Sequence, residues 1–265
     1  MRRLDTLAPK IADRVFLAED FNDWMRSSTY DDLFTFEQDL AALASLILIF
    51  VESAGAIAEL GAFAAIPQVN EKLLVFLQTP HYQSESFIRL GLLDFLTKNN
   101  QASVCNFPWA TTQNGNQQVV VKESIDDCID EIIDSVSLAL NRNTPRSFRS
   151  DQARDQMLLI CDFLDQMIGL QLHEIQEYVA LAGIDLEVRT LKQRLYVLGK
   201  LNLVELIPRG HTGYYVTRKP LSLIRYRFQP GIARYDRERV RAEIAQHYKE
   251  HDRGRIKALA AILTR

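Results

Sequence analysis

Through the first half of the chain, short runs that are apolar at every position alternate with stretches whose apolar residues recur at helical spacing. Leu46-Ile47-Leu48-Ile49-Phe50-Val51 is the clearest of these runs. Apolar character on both faces predicts a central strand of a parallel sheet covered on both sides. Residues 73–77 predict a second buried strand, residues 118–121 a third, and Arg14-Val15-Phe16-Leu17-Ala18 a short one ahead of them. Helical patterns lie between. Leu33, Phe36, Leu40 and Leu43 share one face, and residues 56–65 follow Ser53, a capping side chain, and stop at Pro67. Residues 84–96 read as another helix, and Ile125, Ile129, Ile132, Val136 and Leu140 mark one more from Ser124 onward. Residues 21–25 fit a single helical turn. This β-α-β-α order predicts an α/β layer fold built on a parallel sheet.

The pattern changes after Asn141-Arg142-Asn143-Thr144-Pro145-Arg146-Ser147-Phe148-Arg149-Ser150, a polar, basic and proline-bearing stretch that reads as a linker. Met157, Ile160, Leu164 and Met167 predict an amphipathic helix, residues 172–180 a shorter one, and residues 186–198 a third after the Gly183-Ile184-Asp185 turn. Residues 201–207 and Tyr214-Tyr215-Val216-Thr217 then flank a basic, glycine-bearing tip, Pro208-Arg209-Gly210-His211-Thr212-Gly213. Three helices and such a hairpin make a winged helix-turn-helix arrangement. Residues 236–263 read as one charged helix. Two domains are therefore expected, at residues 1–145 and 151–265.

Composition adds little to this until the charge is divided. Apolar residues at 47% supply an ample core, and 11 Gly with 8 Pro are too few for a turn-rich sandwich. No apolar run approaches the roughly 20 residues of a membrane-spanning helix, and Met1-Arg2-Arg3-Leu4-Asp5 has no apolar stretch behind it. Neither a membrane span nor a secretory signal is expected. Cys105, Cys128 and Cys161 are odd in number and far apart, which fits a reducing cytoplasm and neither a disulfide framework nor a zinc site. His247 and His251, among Lys and Arg, fit a solvated helix face better than a metal site, so no metal is expected. The net charge of −3 conceals a split. Residues 1–150 hold 12 Lys/Arg against 20 Asp/Glu, a net of −8, and residues 187–265 hold 18 against 7, a net of +11. The two parts are expected to serve different ends.

Chemistry concentrates where the first apolar run ends. In Val51-Glu52-Ser53-Ala54-Gly55-Ala56-Ile57-Ala58-Glu59-Leu60-Gly61-Ala62-Phe63, two acids follow a buried strand at its carboxyl end, where open α/β sheets bind ligands. Glu59 is bordered by Ile57, Leu60 and Phe63, and a carboxylate in such company is costly unless it is used or paired. Gly55 and Gly61 permit close approach of backbone to a ligand. The plainer alternative makes Glu52 a partner of the helix dipole and Glu59 half of a surface ion pair. Glu37, also set among apolar positions, is a further substrate-binding candidate, with a structural role as the equal alternative.

The run Glu52-Ser53-Ala54-Gly55-Ala56-Ile57-Ala58-Glu59-Leu60-Gly61-Ala62-Phe63 resembles the Glu-Ser-x-Gly-Ser-x-Ala-Glu-Leu-Gly-x-Phe signature of retron-associated effectors with a nucleoside 2-deoxyribosyltransferase-like domain. Leu33-Phe34-Thr35-Phe36-Glu37-Gln38-Asp39-Leu40-Ala41 and Ser86-Phe87-Ile88-Arg89-Leu90-Gly91 resemble that group too. Such effectors also carry a C-terminal winged helix, so the resemblance covers almost the whole chain. It implies Glu59 as nucleophile at the anomeric carbon and Glu52 as the upstream carboxylate, one residue farther away than in the transferases. Ser53, Gly55 and Glu37 would then hold substrate. Ala56 replaces the usual small hydroxyl residue. Too few residues precede 14–18 for the family's opening strand and base-holding loop, so a missing or shortened first strand is expected. The base pocket is then incomplete, completed by a neighbouring subunit, or inactive.

The implied chemistry is cleavage of an N-glycosidic bond, in which a fixed carboxylate stabilises or captures an oxocarbenium-like sugar. No cofactor is implied; NAD is the leading substrate. Arg189, Lys192 and Arg194 on the third helix of the winged unit, Arg209 and His211 at the wing tip, and Arg218 and Lys219 behind it can neutralise phosphates. The resemblance implies as partners a retron reverse transcriptase and its multicopy single-stranded DNA with attached RNA, and it leaves room for a homo-oligomer. Two alternatives stay open: a winged helix used only for protein contacts, and a DNA-binding regulator whose α/β domain senses a nucleotide without cleaving it.

Overall fold

The structure, a computed structural model, describes residues 14–21, 29–99, 103–114, 117–142, 146–227 and 235–263. In chain order the elements are α1 (Leu33–Leu43), β1 (Ile47–Phe50), α2 (Ala54–Ala64), α3 (Pro67–Asn70), β2 (Leu73–Gln78), α4 (Thr79–Gln83), a π-helical segment (Ile88–Leu93) running into α5 (Asp94–Asn99), β3 (Val104–Phe107), β4 (Thr111–Asn114), β5 (Gln117–Val120), α6 (Lys122–Asp126) and α7 (Ile129–Asn141). There follow α8 (Ala153–Gln166), α9 (Leu172–Leu181), α10 (Val188–Lys200), β6 (Val204–Arg209), β7 (Thr212–Thr217), α11 (Arg237–His251) and α12 (Arg253–Leu263). They divide into two compact units. One holds residues 14–17 and Ala44–Arg146, the other Ala18–Leu43 and Ser147–Arg265.

The first unit is built on a parallel sheet of order β1-β2-β3. The expected α/β class and parallel sheet are present. In β2, residues 73–77 are buried throughout, as a central strand covered on both faces must be. Ile49 pairs with Val75 in register, and Val75 with Val104. Phe50, Phe76 and Phe107 bring a chain of ring contacts across the strands, with Phe50 and Phe76 stacked at 4.8 Å and Phe76 and Phe107 at 5.9 Å.

Three expectations fail here. The third parallel strand is β3, not residues 118–121. Those residues lie largely in β5, which pairs antiparallel with β4 in a separate two-stranded sheet. Residues 14–17 form no strand. Phe16 and Leu17 stay exposed and among the described residues no strand pairs with them, without which an extended backbone has little to hold it. The helix expected over residues 84–96 begins only at Ile88, in π-helical form. Of the turn expected at 21–25, only Phe21 lies within the described residues.

The second unit packs α8, α9 and α10 around Met157, Ile160, Leu164, Leu191, Leu195 and Leu198, with the β6–β7 hairpin antiparallel beside them. A single bridge between Leu170 and Tyr215 ties the segment before α9 to that hairpin. Helix α1 belongs here too. Phe36 is 1% exposed and Tyr30 4%, both in the same core as Met157 and Leu195. The expected boundary near residue 145 is therefore crossed by an early segment, because its aromatic side chains find their burial in this core. The expected single tail helix is two. Asp252 leaves the first and caps the second by accepting from Arg255 N–H at 3.0 Å. No helix among the described residues is long and apolar enough to cross a membrane.

Candidate functional site

Where β1 ends, Val51 N–H still donates to Phe76 O at 2.9 Å, prolonging the ladder by one bond. The chain then turns through Glu52 to Ser53, whose hydroxyl accepts from Ala56 N–H at 3.1 Å and caps α2. Two more strand ends meet this point. Gln78, closing β2, donates from Nε2 to Trp109 O at 2.6 Å just past β3. Between these ends opens a cavity of about 370 Å³, at the lower end of the range for small-molecule sites, roughly 300–1,000 Å³. Its polar wall is Glu52, Ser53, Gln78, His81, Ser84, Ser86 and Thr111; its apolar wall is Val51, Ala54, Ile57, Leu77, Ile88, Trp109 and Val120.

The position is the one open α/β sheets reserve for ligands. Burial pushes the Glu52 carboxyl above its ordinary value. The side chain faces the open cavity, but the apolar wall withholds enough water to disfavour the ion, even though the N-terminus of α2 favours it. Among the described residues no group of three or more His, Cys, Asp or Glu is placed to hold a metal ion.

Of the residues expected at the site, Glu52 and Ser53 are brought together on this wall. Gly55 is exposed in the first turn of α2 and off the wall, where a Cβ would meet only Ser53 Oγ at 3.6 Å. Glu59 is half-buried farther along α2 and is not part of the wall. Glu37 lies on α1, in the other unit. Gln78, His81, Ser84, Ser86 and Trp109 were not anticipated. The signal was available: Gln-Thr-Pro-His follows the second apolar run just as Glu-Ser follows the first.

The basic residues divide as sharply. Arg194 is half-buried and pairs with Asp39, which also accepts from Tyr30 Oη at 2.7 Å. Expected on a phosphate-binding face, it is turned instead onto a buried carboxylate. Arg189 pairs with Asp31, Arg218 with Glu205 at 3.3 Å, and Arg209 donates to Lys257 O at 2.7 Å. Lys192, His211 and Lys219 are exposed. Several tail arginines turn inward. Arg237 binds Asp162 at 2.9 Å and Asp165 at 2.8 Å, and Arg241 meets Asp165 at 2.9 Å. Arg255, 3% exposed, reaches Glu174 at 2.6 Å, Asp252 at 3.0 Å and Gly169 O at 2.8 Å. Aromatic side chains beside the basic residues could stack on bases, but of Tyr214, Tyr215, Tyr226 and Phe228 the first is buried and the last lies outside the described residues.

Two Escherichia coli proteins are similar to this chain. One, named "Retron Ec73 putative ribosyltransferase/DNA-binding protein", is 28% identical over 196 residues, covering 71% of this chain and 61% of its own length. The other carries the corresponding name for retron Ec86 and is 33% identical over 91 residues, 34% of this chain and 30% of its own. The chain thus spans less than two-thirds of either relative. A family model described as STM3845 retron effector protein matches residues 1–206, which takes in the whole cavity wall and helices α1, α8, α9 and α10 of the second core. The chain belongs to the STM3845 retron effector protein family.

Proposed function

We propose that this retron effector acts in anti-phage defence by cleaving the N-glycosidic bond of a nucleotide, with NAD the first substrate to test. Glu52 is the carboxylate that meets the scissile bond. The observation that carries this reading is the cavity itself: a nucleoside-sized space at the carboxyl end of a parallel sheet, where Glu52 shares the wall with Trp109, His81 and four hydroxyl side chains. With a neutral base, an acid that holds its proton longer than usual suits protonation of the leaving group. The nicotinamide of NAD is already cationic at the bond and leaves without a proton, so there Glu52 acts in its ionised form, stabilising the oxocarbenium-like sugar left behind. Water then bonds through its oxygen to the anomeric carbon and releases a proton, which completes a hydrolysis. The relatives' names, with ribosyltransferase and DNA-binding in one protein, fit the same division. The three helices, the hairpin and the Leu170–Tyr215 bridge support reading the second unit as a winged helix that holds DNA, with a reverse transcriptase and its DNA–RNA product as partners in the cytoplasm.

The test is chromatography of free base released from NAD and a panel of nucleosides and nucleotides, with the protein alone and assembled with those partners. Base release is expected from the unmodified protein, and Glu52→Gln is expected to slow it by roughly 10²-fold or more. Loss in Glu59→Gln with Glu52→Gln unaffected would make Glu59 the carboxylate at the scissile bond. No free base from any substrate in any assembly sinks the reading. A second reading draws on Glu59 lying off the wall: the cavity binds a nucleotide without cleaving it, and the chain is a DNA-binding regulator. Calorimetric binding without product, together with salt-dependent affinity for one promoter sequence, distinguishes it.

A further inference from the structure

In the second unit, α10 is the helix that a winged-helix protein lays in a DNA groove. Here the chain itself engages it. Asp31 pairs with Arg189 and Asp39 with Arg194. Gln193 Nε2 donates to Thr29 O at 3.2 Å, and Tyr30 Oη donates to Gln193 O at 3.1 Å. The rings of Tyr30 and Phe36 each lie 6.0 Å from that of Tyr196. Tyr30 and Asp39 are both buried, so this is packed core rather than a loose surface approach. Carboxylates stand on the two arginines where phosphates would otherwise be.

Other basic side chains are left open. His211 lies at the wing turn, and Lys219, Arg225 and Arg227 lie in the irregular stretch behind it. All four are exposed, and among the described residues none has an ion-pair partner. Tyr226, between the two arginines, donates to Asp162 Oδ2 at 2.5 Å and so anchors that stretch to α8.

We infer that the second unit grips a nucleic-acid backbone through His211, Lys219, Arg225 and Arg227, with α10 withdrawn from groove reading by residues 29–39. This rests on the nucleic-acid reading above and specifies it. Contacts to phosphate position a strand without reporting its bases, so the partner is recognised as a polyanionic backbone of any sequence.

The experiment is fluorescence anisotropy on the full chain, over a salt series, with a labelled mixed-sequence oligonucleotide and its scrambled version. The combined variant Lys219→Ala, Arg225→Ala, Arg227→Ala is expected to weaken binding roughly tenfold or more and to lower the salt slope by about two to three. Lys192→Ala, on the exposed part of α10, is expected to change affinity less than about twofold, and the scrambled strand to bind equally well. Acetylation footprinting of the unmodified protein supplies an answer independent of any variant: Lys219 protected by the oligonucleotide, Lys192 not. A dominant loss in Lys192→Ala, protection of Lys192 alone, or strong preference for one sequence overturns the inference and leaves nucleic-acid binding standing. No binding of any oligonucleotide by the unmodified chain overturns both.

Discussion

A carboxyl group at the end of a buried strand is pulled two ways. The first turn of the following helix favours its ion, and the apolar wall beside it favours its acid. For Glu52 burial prevails and the folded protein holds the proton more tightly than the unfolded chain does. The sign follows from proton linkage. Stability is lost as pH rises through the folded-state value, because the native state must then either hold a proton that the unfolded chain has already released or carry a disfavoured charge. Glu52→Gln is expected to raise the thermal midpoint at about pH 7 and to leave it unchanged at about pH 3, where both states are protonated. Calorimetry at the two pH values reads the difference. A midpoint lowered at neutral pH would mean that the carboxylate is stabilised by a partner. The location of Glu52 was legible from the apolar run that precedes it. That Glu59 stands off the wall was not, since the seven-residue offset in sequence leaves open which face of α2 lines a cavity formed by three strands.

Local rules carry the elements where the partner is near in sequence. Ser53 caps α2 as expected, and Pro67 follows its end. They fail where a distant partner chooses. Val-Val-Val at 119–121 looks more strand-like than Val-Cys-Asn-Phe, yet the latter joins the parallel sheet because β2 offers it an open edge. The tail shows the same contrast on the electrostatic side. Arg255 joins α12 to α9 through Glu174, and it lies 4.2 Å and 5.2 Å over the rings of Tyr248 and Tyr214. Arg255→Leu strands Glu174 and Asp252 beside a buried gap, and is expected to destabilise the unit by about 3–5 kcal/mol in urea unfolding. Arg255→Lys is expected to restore little, since an ammonium cannot reproduce the guanidinium fork. Unchanged unfolding in the leucine variant would show that the tail adds nothing to the core. Acid acts on the same joint. Burial alone would raise the Asp252 carboxyl, but its hydrogen bonds with Arg255 outweigh that and hold it below the ordinary range. Its contribution is thus present above the unfolded-chain value and lost as pH falls through the lower, folded one.

At the scale of the molecule, the two units are not the two halves of the sequence. Phe21 and residues 29–43, through Tyr30, Phe36, Leu40 and Leu43, join a core otherwise made from residues beyond 147. A fragment of residues 147–265 alone would expose the surface those side chains cover. It is expected to aggregate or melt without cooperativity, and to recover a cooperative transition when residues 18–43 are fused to it, as followed by circular dichroism. Equal midpoints with and without the segment would contradict the division into units described above. The same arrangement redistributes the charge. Much of the +11 carried by residues 187–265 is neutralised inside the unit by Asp39, Asp162, Asp165 and Glu174, and Asp31 pairs with Arg189 at the surface.

The sequence by itself determined what depends on neighbours a few residues apart: the first two parallel strands, the cap of α2, the three helices and hairpin of the second unit, and the carboxylate at the strand end. Period, capping and turn chemistry act over one or two turns of chain, so they can be read along it. Tertiary structure alone decided which strand completed the sheet, which of two glutamates met the cavity, and which arginines remained in solvent. Arg189 and Asp31 lie 158 residues apart, and Arg237 and Asp162 lie 75 apart. Charge and burial at such separations are settled by what packs against what, and no local pattern encodes that choice.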